Sequence, residues 1–474
     1  MGGQGSSSDG GLIDATPTGP LAEPTVLRSS NGRLALELVA AATMLPWQGG
    51  ERYALAYGGS VPGPTWRVRP GDVIDVSFRN ELREPTNLHT HGLHVAPSGN
   101  SDDPFLMIEP GESFSYRFEL PADHPSGTFW YHPHHHGNSA AQVFGGLAGA
   151  IIVEDEVDAR LSGMTERLLV LSDPKIGSTA KVLDASAAVK QQGRQGDVLL
   201  VDGQYRPTAS ALVGQTEHWR IVNASPSRYY VLSVEGASMQ WIGSGQSRFT
   251  SPRSATAILL TPGQRAEVLV PLTGPGTVTL RSSEYDRHMH MSMSGMGNMG
   301  GMVGTSATTT PLSVTGAVTP LFSVDVAEPP RSVVPPVVLP AEITRGEPVV
   351  GPPSTTRQLT FGSMSMGDGE FVIDGKSYEQ GRIDAAVRFG TTEDWVITNG
   401  SMMDHPFHLH TWPFRVVARS DGDPEPGWQD TVNVPMGQSV TIRIPFTGFA
   451  GRTVYHCHIL DHEDLGMMAT IEVA

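Results

Sequence analysis

Residues 71–80 read GDVIDVSFRN, residues 214–223 read GQTEHWRIVN, and residues 390–399 read GTTEDWVITN. Each is a glycine at a turn, then alternating apolar and polar side chains, then a closing asparagine. Alternation with period 2 marks a strand with one buried face. Two further elements recur downstream in the same order. Pro110-Gly111, Pro262-Gly263 and Met436-Gly437 are turns ahead of short runs at Tyr116–Phe118, Val268–Val270 and Ile442–Ile444. After these come GTFWYH at 127–132, GTVTLR at 276–281 and GRTVYH at 451–456. Three elements repeating in one order imply three related β-units of Greek-key type.

The composition agrees. A chain of 474 residues has room for about three domains at ~150 residues each. Its 54 Gly and 37 Pro interrupt short apolar runs, which favours sandwiches or barrels over helices. The expected domains are 22–155, 160–290 and 355–474. Residues 1–21 are expected to be disordered or tag-like, and 288–354 to be a Met-rich segment followed by a Pro-rich linker. A net charge of -17 argues against nucleic acid or anionic lipid as partners. No apolar run reaches the ~18 residues needed to span a bilayer. The Gly/Ser-rich start lacks the apolar stretch of a signal peptide, so either the protein stays inside or an export signal is absent from this sequence. The chain is expected to be a monomer.

Laid on the repeat, the histidines fall in register. Nine positions after Asn80 stands His89-Thr90-His91, and nine after Asn399 stands His408-Leu409-His410, where the second unit has Leu232-Ser233-Val234. His132-Pro133-His134 and His456-Cys457-His458 match in the same way, and the second unit has Arg281 there. Residues i and i+2 of a strand share a face at roughly 6.6 Å separation. Four such pairs from the first and third units therefore suggest one pseudo-symmetric metal cluster between them. Structural zinc sites take four ligands and usually recruit thiolates, whereas imidazole-rich sites suit copper.

Cys457 is the single cysteine. It lies between two cluster histidines, so on a strand its sulfur points away from them, toward a second metal. His405, His462 and the softer Met467 are its candidate partners, a blue-copper donor set. In the first unit the equivalent positions are Thr86, Pro133 and Asn138, which cannot form such a site. One copper there and three in the cluster give four one-electron carriers, the number that reduction of dioxygen to two waters requires.

These residues resemble the multicopper oxidases, particularly three-domain bacterial laccases and copper-efflux oxidases. The resemblance covers nearly the whole chain after about residue 22 and implies an all-β chain of three consecutive cupredoxin-like domains. It assigns a type 1 copper to His405, Cys457, His462 and Met467, and a type 2 copper to His89 and His408. It gives a type 3 pair to His91, His132, His134, His410, His456 and His458. Dioxygen is the implied co-substrate, and a small phenolic or metal-ion reductant the implied partner. Thr90 stands where many members have Trp, and Thr411 where many have Gly. Proton-relay acids in similar enzymes match Glu463 and Asp102, or else Asp103; the same acids could instead only orient the histidines. The periplasm or cell exterior is expected from this resemblance alone.

Residues 288–302, HMHMSMSGMGNMGGM, are the clue to substrate, because thioethers select Cu(I). A copper-handling role is expected there, against a bland low-complexity loop. Asp404, Met402 and Met403, beside His405, are a candidate landing site for a reductant. His94, His124, His135, His136 and His218 are read as ordinary histidines. Three functions remain: a laccase that also oxidises Cu(I), a dedicated cuprous oxidase, and a non-enzymatic copper buffer. A two-domain copper nitrite reductase does not carry eight cluster histidines.

Overall fold

The computed structural model describes residues 15–176, 185–287, 314–329, 350–363 and 371–474. The chain is all-β, built of three consecutive cupredoxin-like domains, each made of two sheets. No helix among the described residues is long and apolar enough to cross a membrane.

The repeated stretches are strands Val73–Glu81, Thr216–Asn223 and Thr392–Asn399, each inside one sheet of its domain. In the outer two the alternation holds: Ile74, Val76 and Phe78 point inward, as do Trp395 and Ile397. Thr216–Asn223 is buried at every position. Its Trp219 and Ile221 face the core of the second domain, while Arg220 and His218 face the first domain and the connecting helix Glu156–Leu161. There Glu267 accepts from Arg220 at 2.6 Å, Arg248 at 2.9 Å and Thr128 at 2.7 Å, so buried charge on this face is paired.

The closing asparagine of the repeat has a physical reason. Asn80, Asn223 and Asn399 are fully buried, and each donates to two backbone carbonyls, at 2.8–3.0 Å. Each Oδ1 accepts from the amide two residues on, in Leu82, Ser225 and Ser401. One side chain thus supplies donors and an acceptor to a turn whose backbone would otherwise be buried unpaired.

One expectation needs correction. Residues 288–354 are not linker throughout: Val314–Ala327 is a strand, antiparallel to Gly276–Tyr285 and parallel to Thr208–Leu212 in the second domain. Leu321, Phe322, Val324 and Val326 enter that domain's core. Pro320 and the low-complexity stretch ahead of it conceal the alternation in the sequence. Residues 1–14, the Met-rich stretch 288–302 and most of the Pro-rich linker lie outside the described residues.

Candidate metal centres

The sheet pairings carry the histidines into place. In the third domain His408 lies opposite His456, and Phe407 opposite Cys457. In the first, His89 lies opposite His132. The corresponding pair in the second domain is Leu232 and Ser282. Because side chains alternate, His408, His410, His456 and His458 share one face of their sheet and His405, Phe407 and Cys457 the other.

On the first face, the eight histidines of the outer domains form one buried chamber. His134 Nε2 and His410 Nε2 stand 3.1 and 3.2 Å from His456 Nε2. The rings of His91 and His408, and of His89 and His410, stack at 3.9 and 3.8 Å. Several triplets offer ligand atoms all within 4.8 Å of one another, among them His89–His91–His132, His89–His408–His410 and His134–His410–His456.

Hydrogen bonds around the chamber rim decide which ring nitrogen faces inward. His89 Nδ1 donates to Asp102 at 3.0 Å, His132 Nδ1 to the Pro133 carbonyl at 2.8 Å, and His408 Nδ1 to the Asp430 carbonyl at 2.8 Å. His456 Nδ1 donates to the Cys457 carbonyl at 3.0 Å, and His91 Nε2 to Asp430 Oδ1 at 2.9 Å. The opposite nitrogens of His89, His91, His132 and His408 are buried with no partner among the described residues, as are both of His458. Buried polar atoms without partners are rare in native proteins. At His89, His91, His132 and His408 the outer N–H is fixed by its acceptor, which leaves the unpartnered nitrogen as the lone pair a metal takes. The donor set fits bound copper.

On the second face, Cys457 Sγ is 3.3 Å from His405 Nδ1 and 3.8 Å from His462 Nδ1, and the two nitrogens are 3.2 Å apart. The outer nitrogens are tied off: His405 Nε2 donates to Ser401 Oγ at 2.8 Å, and His462 Nε2 to the Gln191 carbonyl at 3.0 Å. Met467 is fully buried in the same apolar cluster as Cys457, and its carbonyl accepts from the Cys457 amide at 3.0 Å. All four side chains are closed off from solvent. Two imidazoles and a thiol in a small apolar triangle fit one copper ion.

Of the acids named from sequence, Asp102 accepts from His89 and from the Thr90 amide, and burial pushes its carboxyl up to about 8. Asp103 caps the Phe105 amide instead. Glu463 lies 3.7 Å from His134 and 3.8 Å from His456, and burial raises its pKa. Asp404 is not a landing site. It is fully buried and accepts from the Tyr285 hydroxyl at 2.7 Å and the Met436 amide at 2.9 Å, while Met402 beside it is exposed. His94 donates to the Thr411 carbonyl, His124 to that of Pro125, and His218 to Glu267. Thr411 has φ +67°, the left-handed conformation that glycine adopts without strain.

Sequence reasoning missed Asp430, Thr431 and Arg265. Asp430 is held by Arg265 of the second domain at 2.7 and 2.8 Å and touches His91 of the first, so three domains meet at one carboxylate. Thr431 Oγ1 lies 3.1 Å from His408 Nδ1 and 3.2 Å from His91 Nε2. Gly92, with φ +89°, leaves room for this junction: a Cβ there would sit 2.6 Å from Asp430 and 2.7 Å from Arg265. No spacing to the histidine motifs marks any of these residues.

Burial lowers the pKa of all ten chamber and triangle histidines, to about 3 at His132 and His405 and about 4 at His456. The folded metal-free protein therefore binds fewer protons than the unfolded chain below pH ~6.5. Its stability is complete above that pH and is lost as pH falls toward 4. Asp102, Glu463 and Asp464, all raised by burial, act in the opposite sense but are outnumbered. Calorimetry of chelator-stripped protein should show its melting temperature falling steeply from pH 6.5 to 4; a flat profile would contradict the burial of neutral imidazoles.

Three family models described as multicopper oxidase match residues 39–158, 176–294 and 351–474. A Staphylococcus aureus protein named multicopper oxidase mco is 26% identical over 439 residues, covering 90% of this chain and 85% of its own. The cell division protein FtsP of Xenorhabdus nematophila is 29% identical over 424 residues, covering 87% and 83%. Among solved structures, a multicopper oxidase from Campylobacter jejuni, described as a metallo-oxidase, superposes with a TM-score of 0.83 at 29% identity over 98% of each chain. With each of the three domains matched in order, the chain belongs to the multicopper oxidase family.

Proposed function

We propose that the protein is a laccase-type oxidase that takes electrons singly from phenols, aromatic amines and Cu(I), and passes four to dioxygen to make water. The observation that carries this reading is the strand ending at Cys457: its sulfur faces the triangle while His456 and His458 face the chamber. In this reading His405, Cys457, His462 and Met467 hold the type 1 copper. His89 and His408 hold type 2, and His91, His132, His134, His410, His456 and His458 hold the type 3 pair. Bound copper supplies the one-electron carriers and the place where dioxygen is reduced.

The remaining work falls to the chain. An electron arriving at Cys457 has a covalent path through one residue to either neighbouring histidine. The buried chamber would keep bulk water away from metal held there. Asp102, beside His89, and Glu463, between His134 and His456, are the carboxyls at the chamber wall that would hold and deliver protons. The cell division protein among the relatives raises a non-oxidase role, but a donor set of ten histidines, Cys457 and Met467 favours redox chemistry. The periplasm or cell exterior is the proposed location.

Cu(I) as a second reductant rests on the Met-rich stretch and on where it begins. Arg287, just before it, is buried; its carbonyl accepts from the Asp404 amide next to His405, and its guanidinium donates to the Gln192 carbonyl next to Gln191. The last described residue ahead of that stretch, Arg287, therefore lies beside the segments that carry His405 and the Gln191 carbonyl. Deleting residues 288–302 should cut oxygen uptake with Cu(I) by about tenfold or more while uptake with a phenol persists. Loss of both, or of neither, goes against this division of labour. Loss of bound copper without any oxidase activity in the intact protein identifies a copper buffer instead.

A further inference from the structure

The type 1 triangle is made wholly of third-domain side chains, yet a short piece of the second domain holds it from outside. Helix Ala187–Gln192 lies on the surface with none of its residues buried, and six residues are too few for a helix to persist unaided. Its C-terminal end ties it down. Gly193, in the left-handed conformation at φ +75°, sits so close to the third domain that a Cβ would stand 2.6 Å from Ile459 Cγ2. Arg194 then grips Asp461. Its amide donates to Oδ2 at 2.7 Å, its Nε to both oxygens at 3.0 Å, and its Nη2 to Oδ1 at 2.7 Å. Both side chains are buried, at 4% and 1% exposure, and the guanidinium lies over the Phe144 ring of the first domain. A planar fork held bidentate and away from water is a fixed joint between domains.

From that joint, residues 191–194 reach around the triangle. The Gln191 carbonyl accepts from His462 Nε2 at 3.0 Å. The Gln192 carbonyl accepts from Arg287 at 3.0 Å, and the Arg287 carbonyl accepts from the Asp404 amide ahead of His405. Gly193 presses on Ile459, whose amide donates to Cys457 Sγ at 3.4 Å. His462, His405 and Cys457 are thus each reached, directly or through one or two residues, from the segment that Arg194 anchors.

We propose that Arg194, through Asp461, is the positioning residue that fixes His462 and its neighbours, so that the domain without metal ligands sets the reduction potential of the type 1 copper. The inference rests on the oxidase reading above. Its sign follows from the surroundings. A site closed to water disfavours the more highly charged oxidised ion, and an N–H donated to sulfur weakens the thiolate's donation to it. Both raise the potential, and both depend on the turn 459–463 staying where Asp461 is held. The Gln191 carbonyl acts the other way, since it makes the imidazole a better donor, but water takes over that hydrogen bond once the segment leaves. Releasing the joint therefore lowers the potential.

The test titrates the blue absorption of copper-loaded protein against a one-electron couple. Arg194→Met keeps the length of the side chain and leaves Asp461 buried without its counter-ion. The equilibrium should shift about tenfold toward oxidised copper, or ~59 mV. The type 1 signal in electron paramagnetic resonance should change with it, and the melting temperature should drop. In copper-free protein, trypsin should cut after Lys190 about tenfold faster, because cleavage tracks the opened population. Arg194→Met with Asp461→Leu removes both charges, so stability should recover while the potential stays low. Arg220→Met breaks a buried ion pair of the same kind at the boundary of the first and second domains, and should cost stability without moving the potential. Should Arg194→Met fail to fold, the double variant decides. A native potential in the double variant, or an equal shift in Arg220→Met, overturns this role for Arg194 and leaves the type 1 reading standing. Native protein that binds copper without blue absorption overturns the type 1 reading, and the role of Arg194 with it.

Discussion

Cys457→Ser should abolish the blue thiolate-to-copper absorption and lower oxygen uptake by about three orders of magnitude, equivalent to roughly 4 kcal/mol in the barrier. The sulfur is 3.3 and 3.8 Å from the two imidazole nitrogens that complete its triangle, and a serine hydroxyl stays protonated and cannot replace a thiolate there. The eight-histidine chamber lies on the other face of the strand, so metal analysis should show about three copper ions retained of four. The hydroxyl would be buried in the apolar cluster of Phe407, Tyr455 and Ile459, at a stability cost of about 1–3 kcal/mol. A melting curve separates that cost from the loss of electron transfer. Full turnover in this variant would mean that electrons reach the cluster by another route.

The second large effect belongs to the pair that sequence reasoning missed. Arg265 and Asp430 are each 1% exposed and bound through both carboxylate oxygens. Arg265→Leu leaves a carboxylate buried without its counter-ion, a loss of about 3–5 kcal/mol that thermal unfolding should register. It also frees the carbonyl of Thr128, which accepts from Arg265 at 2.9 Å, so the first domain loses a tie to the second. Asp430→Asn keeps the shape but weakens the acceptor that orients His91, and chamber copper affinity should fall by about 10–100-fold in chelator competition. If the asparagine variant holds copper as tightly as the native protein, Asp430 ties domains together and does not tune the metal site.

The domain repeat was legible because each unit keeps the same local grammar: a turn glycine, an alternating strand, and an asparagine that satisfies its own turn. Alternation is a property of neighbouring residues, and so are the His-x-His pairs and the placement of Cys457 between two of them. These survive in one dimension. The strand Val314–Ala327 escaped notice because its partner Gly276–Tyr285 lies across the whole Met-rich stretch, and its own alternation is broken at Pro320. Choosing Asp102 over Asp103 took the geometry, since both acids sit at similar distances along the chain and only one turns inward. Asp404, next to a triangle histidine in sequence, faces Tyr285 across a domain boundary.

By itself the sequence determined the β-architecture, its threefold repetition, and two sets of metal donors on opposite faces of one strand, because period-2 geometry fixes where each side chain of a strand points. Tertiary structure alone decided which nitrogen of His91 and His408 faces the chamber, through Asp430, and which nitrogen of His462 faces the triangle, through the Gln191 carbonyl. It also decided that the domain without ligands supplies Arg265 and the Gln191 carbonyl. Hydrogen bonds and salt bridges between domains join residues hundreds of positions apart, and no local pattern records such pairings.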